Sequence, residues 1–381
     1  MAEKWKPVRN AALTLCLLCL FSGIYPEEVL GKKVTLDVLI YTGSSWDGEA
    51  GGLDGFFEEA EQAFEKQFPE IGIQIERGIV ESEFREILAE RFLLGREPDL
   101  FLIPEEEFRL YGGGGSLMDL GSLTGDAKDG IYAPLLEGCR LDGTLYALPL
   151  LADPQLICVN YSLLHSLSLV TPGRNWTWSD FHQISRKAAQ DTDQDGIIDL
   201  FGAVGYDWRM AAVSNGVKLE RDMDENSPDA AVQAAVRFAA SLEALSGDWT
   251  PSGREFEDGH AAFLPMRSSE YRRYSIYPRS VEKYSDFSWS CVEMPAGPSG
   301  SNASETELLR MGISNRTSHR KEAAQFLEFL ATDPDIQRKI FFYSDALPAF
   351  RTAVREEAEE DRRIDYEMLD RVLSQAFVQK P

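Results

Sequence analysis

Apolar residues in the first part of the chain change repeatedly between strand-like and helix-like spacing. Residues 34–41 (VTLDVLIY) are rich in β-branched and apolar side chains and predict a strand, and 71–79 predict a second one. Apolar residues recur at helical spacing over 53–64 and predict a helix between the two strands. A second helix is predicted over 81–94, before a short buried strand over 99–103. This alternation predicts a parallel α/β sheet.

The middle of the chain carries turn and capping signals. Asp142–Gly143 predicts a tight hairpin, and two extended segments follow at 146–150 and 155–159. Thr177 predicts the start of a helix, with Asp180 as its capping-box partner. No proline-rich linker divides the chain, so the pattern favours two lobes that exchange strands over separate domains joined by a linker.

The amino terminus has the pattern of an export signal. Basic residues precede an apolar run over 11–24, which at about 14 residues is too short to span a bilayer. We therefore predict a signal peptide over 1–31, cleaved after Gly31, with a cut near Ser22–Gly23 as the alternative, and an exported protein that is periplasmic or on the cell surface. An uncleaved membrane anchor and lipidation at Cys19 are the alternatives, although Leu18 precedes that cysteine where a lipoprotein signal has a small residue.

Net charge and motif content exclude several classes of protein. The formal net charge is −25, from 63 acidic and 38 basic residues. Such a chain is repelled by phosphate backbones, so we expect no nucleic-acid partner. Neither G-x-S-x-G nor H-E-x-x-H occurs, and the four histidines lie far apart, so no catalytic residue is predicted. A glycoside hydrolase stays open as an alternative because it needs only two carboxylates.

Four stretches, in this order, resemble the family 1 extracellular solute-binding proteins, which include the maltose and multiple-sugar receptors. The best match is DGTLYALPLLADPQLICVN at 142–160. The second is WTWSDF at 176–181 followed by DTDQDGIIDLFG at 191–202, and the third is GHAAFLPM at 259–266. The fourth is MGISN at 311–315 with KEAAQFLEFLATD at 321–333. The resemblance implies an α/β, two-lobed periplasmic-binding-protein fold with crossover strands and a ligand cleft between the lobes.

The resemblance also implies a domain arrangement and a function. We expect the first part of lobe 1 over 32–151, the main part of lobe 2 over 152–310, and a C-terminal crossover with shared helices over 311–381. The protein is expected to be a monomer that captures a small solute, a mono- or oligosaccharide, by hinge closure and delivers it to the permease subunits of an ABC importer. No cofactor is required. A secreted glycoside hydrolase and a ligand-sensing receptor for a membrane kinase are the alternatives.

Five residues are candidates for ligand contact because they are expected near the carboxyl ends of strands or at the crossing between lobes. Trp46 and Trp208 offer indole faces for sugar rings, with burial in a lobe core as the alternative. Glu105 is either a hydroxyl acceptor or part of a solvated acidic turn. Asp153 is either a ligand acceptor or a hinge hydrogen-bond partner, and Arg267 binds ligand or is a surface arginine.

A separate acidic motif predicts a structural calcium site. Asp191, Asp193 and Asp195 alternate before a glycine, as at the start of a D-x-D-x-D-G calcium loop, and Asp199 occupies the ninth position. The twelfth position, where a bidentate glutamate is expected, is Gly202. A cation-free acidic turn is the alternative.

Overall fold

The computed structural model describes residues 34–44, 47–48, 52–122, 124–220, 222–250, 252–276, 287–360 and 365–379. The predicted signal peptide lies outside these residues. In the part of the chain that is described, no helix is long and apolar enough to cross a membrane.

The described residues form one large sheet, one small hairpin and the helices that cover them. The strands are β1 (Val34–Leu39), β2 (Ile71–Glu76), β3 (Leu100–Ile103), β4 (Arg140–Leu141), β5 (Thr144–Leu145), β6 (Ala147–Asn160), β7 (Phe201–Ala203), β8 (Ala261–Arg267), β9 (Trp289–Val292), β10 (Thr306–Ile313) and β11 (Leu347–Pro348). The α-helices are α1 (Gly52–Gln67), α2 (Glu81–Leu94), α3 (Phe108–Gly113), α4 (Ala133–Glu137), α5 (Tyr161–Ser166), α6 (Trp178–Ala188), α7 (Trp208–Ser214), α8 (Ala230–Glu243), α9 (Arg254–Glu257), α10 (Ser268–Ile276), α11 (Arg320–Thr332), α12 (Pro334–Tyr343), α13 (Arg351–Glu360) and α14 (Tyr366–Ser374).

The strands of lobe 1 pair as the alternating pattern predicts. β1 pairs in parallel with β2 and with β3, and the helices α1 and α2 connect them. The complete order is β2-β1-β3-β10-β6-β8-β7, with β9 and β11 also paired to β6. The strands are parallel because the helix of each βαβ connection returns the chain to the end of the sheet at which the previous strand began.

The two extended segments predicted over 146–150 and 155–159 form one long strand, β6. Its first half pairs with β10 and its second half with β8 and β9. The change of partner falls at Pro154 and Gln155, which lie opposite Thr306 and Arg267 respectively. β6 therefore belongs to both lobes, and β10 runs beside it at the crossing.

Side-chain alternation along β6 separates two hydrophobic cores. Leu156 and Cys158 face the larger core, which contains lobe 1 and one face of the lobe 2 sheet. Ile157 and Val159 face the second core, which is rich in aromatic residues on the other face of lobe 2. Because successive side chains of a strand point to opposite faces, one continuous strand contributes to both cores.

Two local predictions are confirmed in detail. Asp142 and Gly143 have φ values of 51° and 84°, the left-handed conformations that a tight hairpin between β4 and β5 requires. The Thr177 amide donates to Asp180 Oδ2 at 2.8 Å, and the Asp180 amide donates to Thr177 Oγ1 at 3.3 Å. This capping box begins α6 where the sequence predicts it.

Candidate functional site

The carboxyl ends of strands from both lobes point toward the crossing. Ile103, at the end of β3, lies opposite Arg310 in the middle of β10. Arg267, at the end of β8, lies opposite Gln155, just after β6 enters lobe 2, and β7 runs parallel to β8. In open α/β sheets ligands bind beyond these strand ends. The region between the lobes at the crossing is therefore the candidate site.

Five charged residues meet at this place and are called here the crossing cluster: Glu105, Asp153, Arg267, Glu307 and Arg310. Three of them are predicted site residues. They come from separate parts of the chain, and β3, β6, β8 and β10 bring them together.

Asp153 is 1% exposed, and both of its carboxylate oxygens are occupied. The Ser268 hydroxyl donates to Oδ1 at 2.7 Å, and the Ser269 amide donates to the same oxygen at 2.9 Å. The Ser269 hydroxyl donates to Oδ2 at 2.6 Å. A carboxylate at a helix amino terminus interacts favourably with the helix dipole, and these residues begin α10. The contacts support the hinge alternative for Asp153.

Arg267 joins the end of β8 to both crossing strands. Its Nη1 donates to the backbone carbonyl of Asp153 at 3.0 Å, and its Nη2 donates to Glu307 Oε1 at 2.5 Å. Glu307 lies on β10. A partly buried, charge-assisted pair is stronger than a neutral hydrogen bond, so Arg267 helps to fix the two lobes at the crossing.

Glu105 lies in a single 3₁₀ turn that directly follows β3. Its Oε1 is 3.7 Å from Nη2 of Arg310, whose side chain is fully buried, whereas the Glu105 side chain is 34% exposed. The Arg310 guanidinium also lies over the ring of Phe108, 5.2 Å from its centroid. Glu105 is therefore partly exposed at the crossing and has a buried positive charge behind it.

Burial and neighbouring charge act in opposite directions on the two glutamates of the crossing cluster. Burial raises the pKa of Glu105, while Arg310 and then Arg267 lower it. Burial likewise raises the pKa of Glu307, and Arg267 lowers it. In both cases the increase exceeds the decrease, so these carboxyl groups bind protons more tightly than free glutamate does.

A second acidic group lies beyond β1 and β2. Asp47 accepts hydrogen bonds from the Gly43 amide at 2.5 Å and from the Ser44 hydroxyl at 3.4 Å. Burial raises the pKa of Asp47 and of Glu81, and Asp47 raises that of Glu81 further. Burial also raises the pKa of Tyr41, and the charges of Glu81, Asp47 and Glu105 raise it further. Trp46, the predicted stacking residue of this loop, lies outside the described residues.

Trp208 begins α7, where the Asp207 side chain caps the helix by accepting from the Met210 amide at 2.9 Å. The indole is half-buried and packs against the second core. It also lines a cavity of about 370 Å³ between the end of β7 and α8, together with Tyr206 and Thr250. Trp208 therefore packs on a lobe core, as one prediction has it, and also lines a cavity, as a ligand-stacking residue would.

The predicted calcium ligands form an exposed loop in lobe 2. Ligand oxygens of Asp191, Asp193 and Asp195 lie within 4.8 Å of one another, a spacing compatible with one hard cation. Each carboxylate also accepts a backbone amide of the same loop. Asp199 accepts from the amide and the hydroxyl of Thr192, and these hydrogen bonds lower the pKa of Asp199.

Glu307 and Arg310 are the residues of the crossing cluster that the sequence analysis missed. Both lie in TELLRMGI, the sequence of β10. A signal was available, because a glutamate and an arginine interrupt an otherwise apolar strand. Charged side chains inside such a strand are buried only when they are paired, so they indicate a partner from elsewhere in the chain.

Known proteins resemble this chain in sequence or in fold. The uncharacterized lipoprotein in the oleD 5' region of Streptomyces antibioticus is 23% identical over 339 residues, which cover 82% of this chain and 70% of that protein. The sugar-binding protein MalE from Xanthomonas citri is 18% identical, with a TM-score of 0.72, covering 91% of this chain and 87% of its own. The cyclic alpha-maltosyl-1,6-maltose binding protein from Arthrobacter globiformis is 16% identical, with a TM-score of 0.71 and coverages of 91% and 88%. At these identities the solved structures establish a common fold.

The family model for bacterial extracellular solute-binding proteins matches residues 47–336, which is more than half of the chain. The match contains all four stretches on which the sequence resemblance depends. The predicted two-lobed periplasmic-binding-protein fold is confirmed by the shared architecture. This chain belongs to the bacterial extracellular solute-binding protein family.

Proposed function

We propose that this protein captures a neutral mono- or oligosaccharide between its lobes and delivers it to the permease subunits of an ABC importer. The observation that carries the proposal is the crossing cluster, where charged side chains from both lobes converge beyond the carboxyl ends of the strands. The relatives from Xanthomonas and Arthrobacter, named for binding sugars, support a saccharide as the ligand.

The charges near the cleft favour a neutral ligand rich in hydroxyl groups. The described acidic residues near the cleft include Asp47, Glu81, Glu105 and Glu307. Arg267 already pairs with Glu307, and Arg310 is fully buried behind Glu105. Carboxylates accept hydrogen bonds from sugar hydroxyls, whereas a phosphate or carboxylate on the ligand would be repelled. Trp208 and Trp46 stay candidates for stacking on the ring faces.

Export and attachment to the cell surface are part of the proposal. The basic start and short apolar run have the pattern of a secretory signal, and the Streptomyces relative is named a lipoprotein. We propose that the protein is a monomer that is anchored near its permease. It acts as a receptor and has no catalytic activity of its own. Hinge closure around the bound saccharide would present the closed form to the permease.

A thermal-shift panel tests the proposal. Maltose, maltotriose and mannotriose are compared with glucose 6-phosphate and glucuronate as anionic controls. A ligand that binds only the folded protein raises the Tm, by an amount that grows with its concentration relative to Kd. We expect a neutral saccharide to raise the Tm and the anionic sugars to leave it unchanged. A Tm rise with the anionic sugars alone would contradict the proposal.

Product analysis separates a receptor from a glycoside hydrolase. The saccharide with the largest effect is incubated with the protein and then examined by chromatography. A receptor returns it intact. Steady hydrolysis that is abolished in Glu105→Gln or Glu307→Gln would establish the hydrolase, since glycosidases depend on a carboxylate pair.

A further inference from the structure

Arg310 is a fully buried arginine in the middle of the sheet. It lies on β10 opposite Ile103 of β3 and Pro149 of β6, next to an irregularity in the strand register. Within the described residues, its Nε, Nη1 and Nη2 atoms donate no hydrogen bond. The carboxylate paired with it is that of Glu105, at 3.7 Å, which is longer than a hydrogen bond.

This arrangement is costly for stability alone. A buried guanidinium loses its hydration, and a distant ion pair repays only part of that loss. An apolar side chain of similar length would fill the same space beside Phe108 without this cost. The charge of Arg310 is therefore better explained by its effect on Glu105 than by packing.

Glu105 is the exposed end of the pair. It follows β3 directly, at the strand end where a ligand is expected, and about one third of its side chain is exposed. A glutamate in this environment is a strong hydrogen-bond acceptor only while it is ionised and held in one orientation. Arg310 supplies the opposite charge from behind, at the end of the side chain away from solvent.

We propose that Arg310 is a positioning residue for ligand binding: it keeps the Glu105 carboxylate ionised and oriented at the cleft surface, where that carboxylate accepts hydrogen bonds from the ligand. The inference rests on the proposed function. Arg310 itself does not touch the ligand because it is completely buried.

Other charged and titratable groups face Glu105 from the surrounding elements. Arg267 on β8 favours its ionised form, and Glu305, just before β10, opposes it. Tyr41 after β1 and Cys139 before β4 also interact with Glu105. Burial raises the pKa of Tyr41 and raises that of the Cys139 thiol to about 12, so both stay neutral at physiological pH. Loss of Arg310 therefore leaves Arg267 as the cation that opposes protonation of Glu105.

The first measurement needs no ligand. Carboxyl carbons are labelled with ¹³C in glutamate, the Glu105 signal is assigned by its loss in Glu105→Gln, and its pKa is read from an NMR titration. Arg310→Met should raise this pKa by about one unit or more, because an adjacent arginine typically lowers a carboxyl pKa by about one to three units. Arg310→Lys should restore part of the difference. Arg310→Gln replaces the methionine variant if that variant does not fold.

The second measurement is the pH profile of binding, with maltotriose as the probe, or the saccharide of the panel with the largest Tm effect. Arg310→Met should weaken binding most strongly at pH values below the raised Glu105 pKa of the variant, and the loss should shrink as pH rises and Glu105 ionises again. Glu105→Gln should weaken binding at every pH above the wild-type Glu105 pKa, and raising the pH should not restore the affinity, because the glutamine has no carboxylate to ionise. Arg310→Lys should bind more tightly than Arg310→Met.

The outcomes distinguish this inference from the proposed function. An unchanged Glu105 pKa in the folded Arg310→Met or Arg310→Gln variant overturns the inference. It is also overturned if Glu105→Gln loses binding while Arg310→Met binds like the wild type at every pH. If no saccharide of the panel binds the wild-type protein, the proposed function fails, and the titration still decides whether Arg310 controls the ionisation of Glu105.

Discussion

The crossing cluster and the loop at 191–199 are both rich in carboxylates, yet they are built in opposite ways. In the loop, the acidic side chains are close in sequence, largely exposed, and accept the amides of their own backbone. In the crossing cluster they come from distant segments, are partly or fully buried, and pair with arginines or with the serines that begin α10.

This difference shows that the number of acidic residues in a segment does not indicate how much each one contributes to stability or binding. An exposed carboxylate exchanges its protein contacts for water at little cost. A buried one leaves its partners unsatisfied when it is removed, and those partners cannot recover water. Substitutions in the crossing cluster are therefore expected to have large effects, and equivalent substitutions in the loop small ones.

The largest expected effect is that of Asp153→Ala on stability. The change leaves the Ser268 hydroxyl and the amide and hydroxyl of Ser269 without their acceptor in a buried site. We expect the free energy of unfolding in urea to fall by about 3 kcal/mol or more. Asp195→Ala in the exposed loop is the matched control and should unfold at nearly the wild-type urea concentration in metal-free buffer. Equal midpoints for the two variants would remove the distinction between the regions.

The next effect is that of Glu105→Gln on ligand affinity. Gln keeps the size of the side chain and removes the charge, so Kd for the bound saccharide should rise about tenfold to hundredfold, equivalent to about 1.4–2.7 kcal/mol. Glu106→Gln is the control, because Glu106 lies beside it and forms an exposed ion pair with Arg85. Isothermal titration of both variants tests this. If Glu105→Gln and Glu106→Gln bind the saccharide equally well, Glu105 does not belong to the binding site.

An effect of similar size on affinity is expected from Trp208→Ala, which tests whether the cleft extends into the cavity beside α8. Loss of a stacking indole should weaken saccharide binding by about 1–3 kcal/mol and leave a folded protein. The exposed Trp249, whose indole donates to Glu255, is the control for removal of a tryptophan in lobe 2. If Trp208→Ala lowers the Tm strongly while the folded fraction binds normally, the residue belongs to the core alone.

The smallest effect is expected from calcium at the loop. Addition of calcium to chelator-treated protein should raise the Tm by roughly 2–4 °C, because the cation binds the folded loop and the anchoring glutamate is replaced by Gly202. Asp193→Ala should abolish this response and leave saccharide affinity unchanged. Identical melting curves with chelator and with calcium would show that the loop is a cation-free acidic turn.

Prediction from the sequence worked best where the signal was local. Helix α2 spans 81–94 as its pattern indicates, and the capping box at Thr177 and the hairpin at Asp142 depend on residues at most three positions apart. The same is true of the acidic loop, whose carboxylates converge because backbone turns bring them together. Such features follow from propensity and hydrogen bonding within a few residues.

Prediction was weaker where partners are far apart in the chain. Periodicity identifies 146–150 and 155–159 as extended, but only pairing with β10, β8 and β9 makes them one strand shared by two lobes. The sequence does not distinguish a ligand acceptor from a hinge hydrogen-bond partner at Asp153, because the serines that bind it lie more than a hundred residues away. Nothing in the sequence around Arg310 identifies Glu105 as its partner, because Glu105 lies about two hundred residues earlier in the chain.

The sequence alone therefore predicted the family, the α/β class and the capping and turn residues. It also singled out three residues that the structure brings together in the crossing cluster, and their contact with a ligand stays a prediction. The tertiary structure decided which carboxylates are buried, which are paired and which reach the cleft. The physical reason is that helix and turn formation depends on neighbours along the chain, whereas desolvation and ion pairing depend on neighbours in space. Those spatial neighbours exist here only after β6 and β10 have crossed between the lobes.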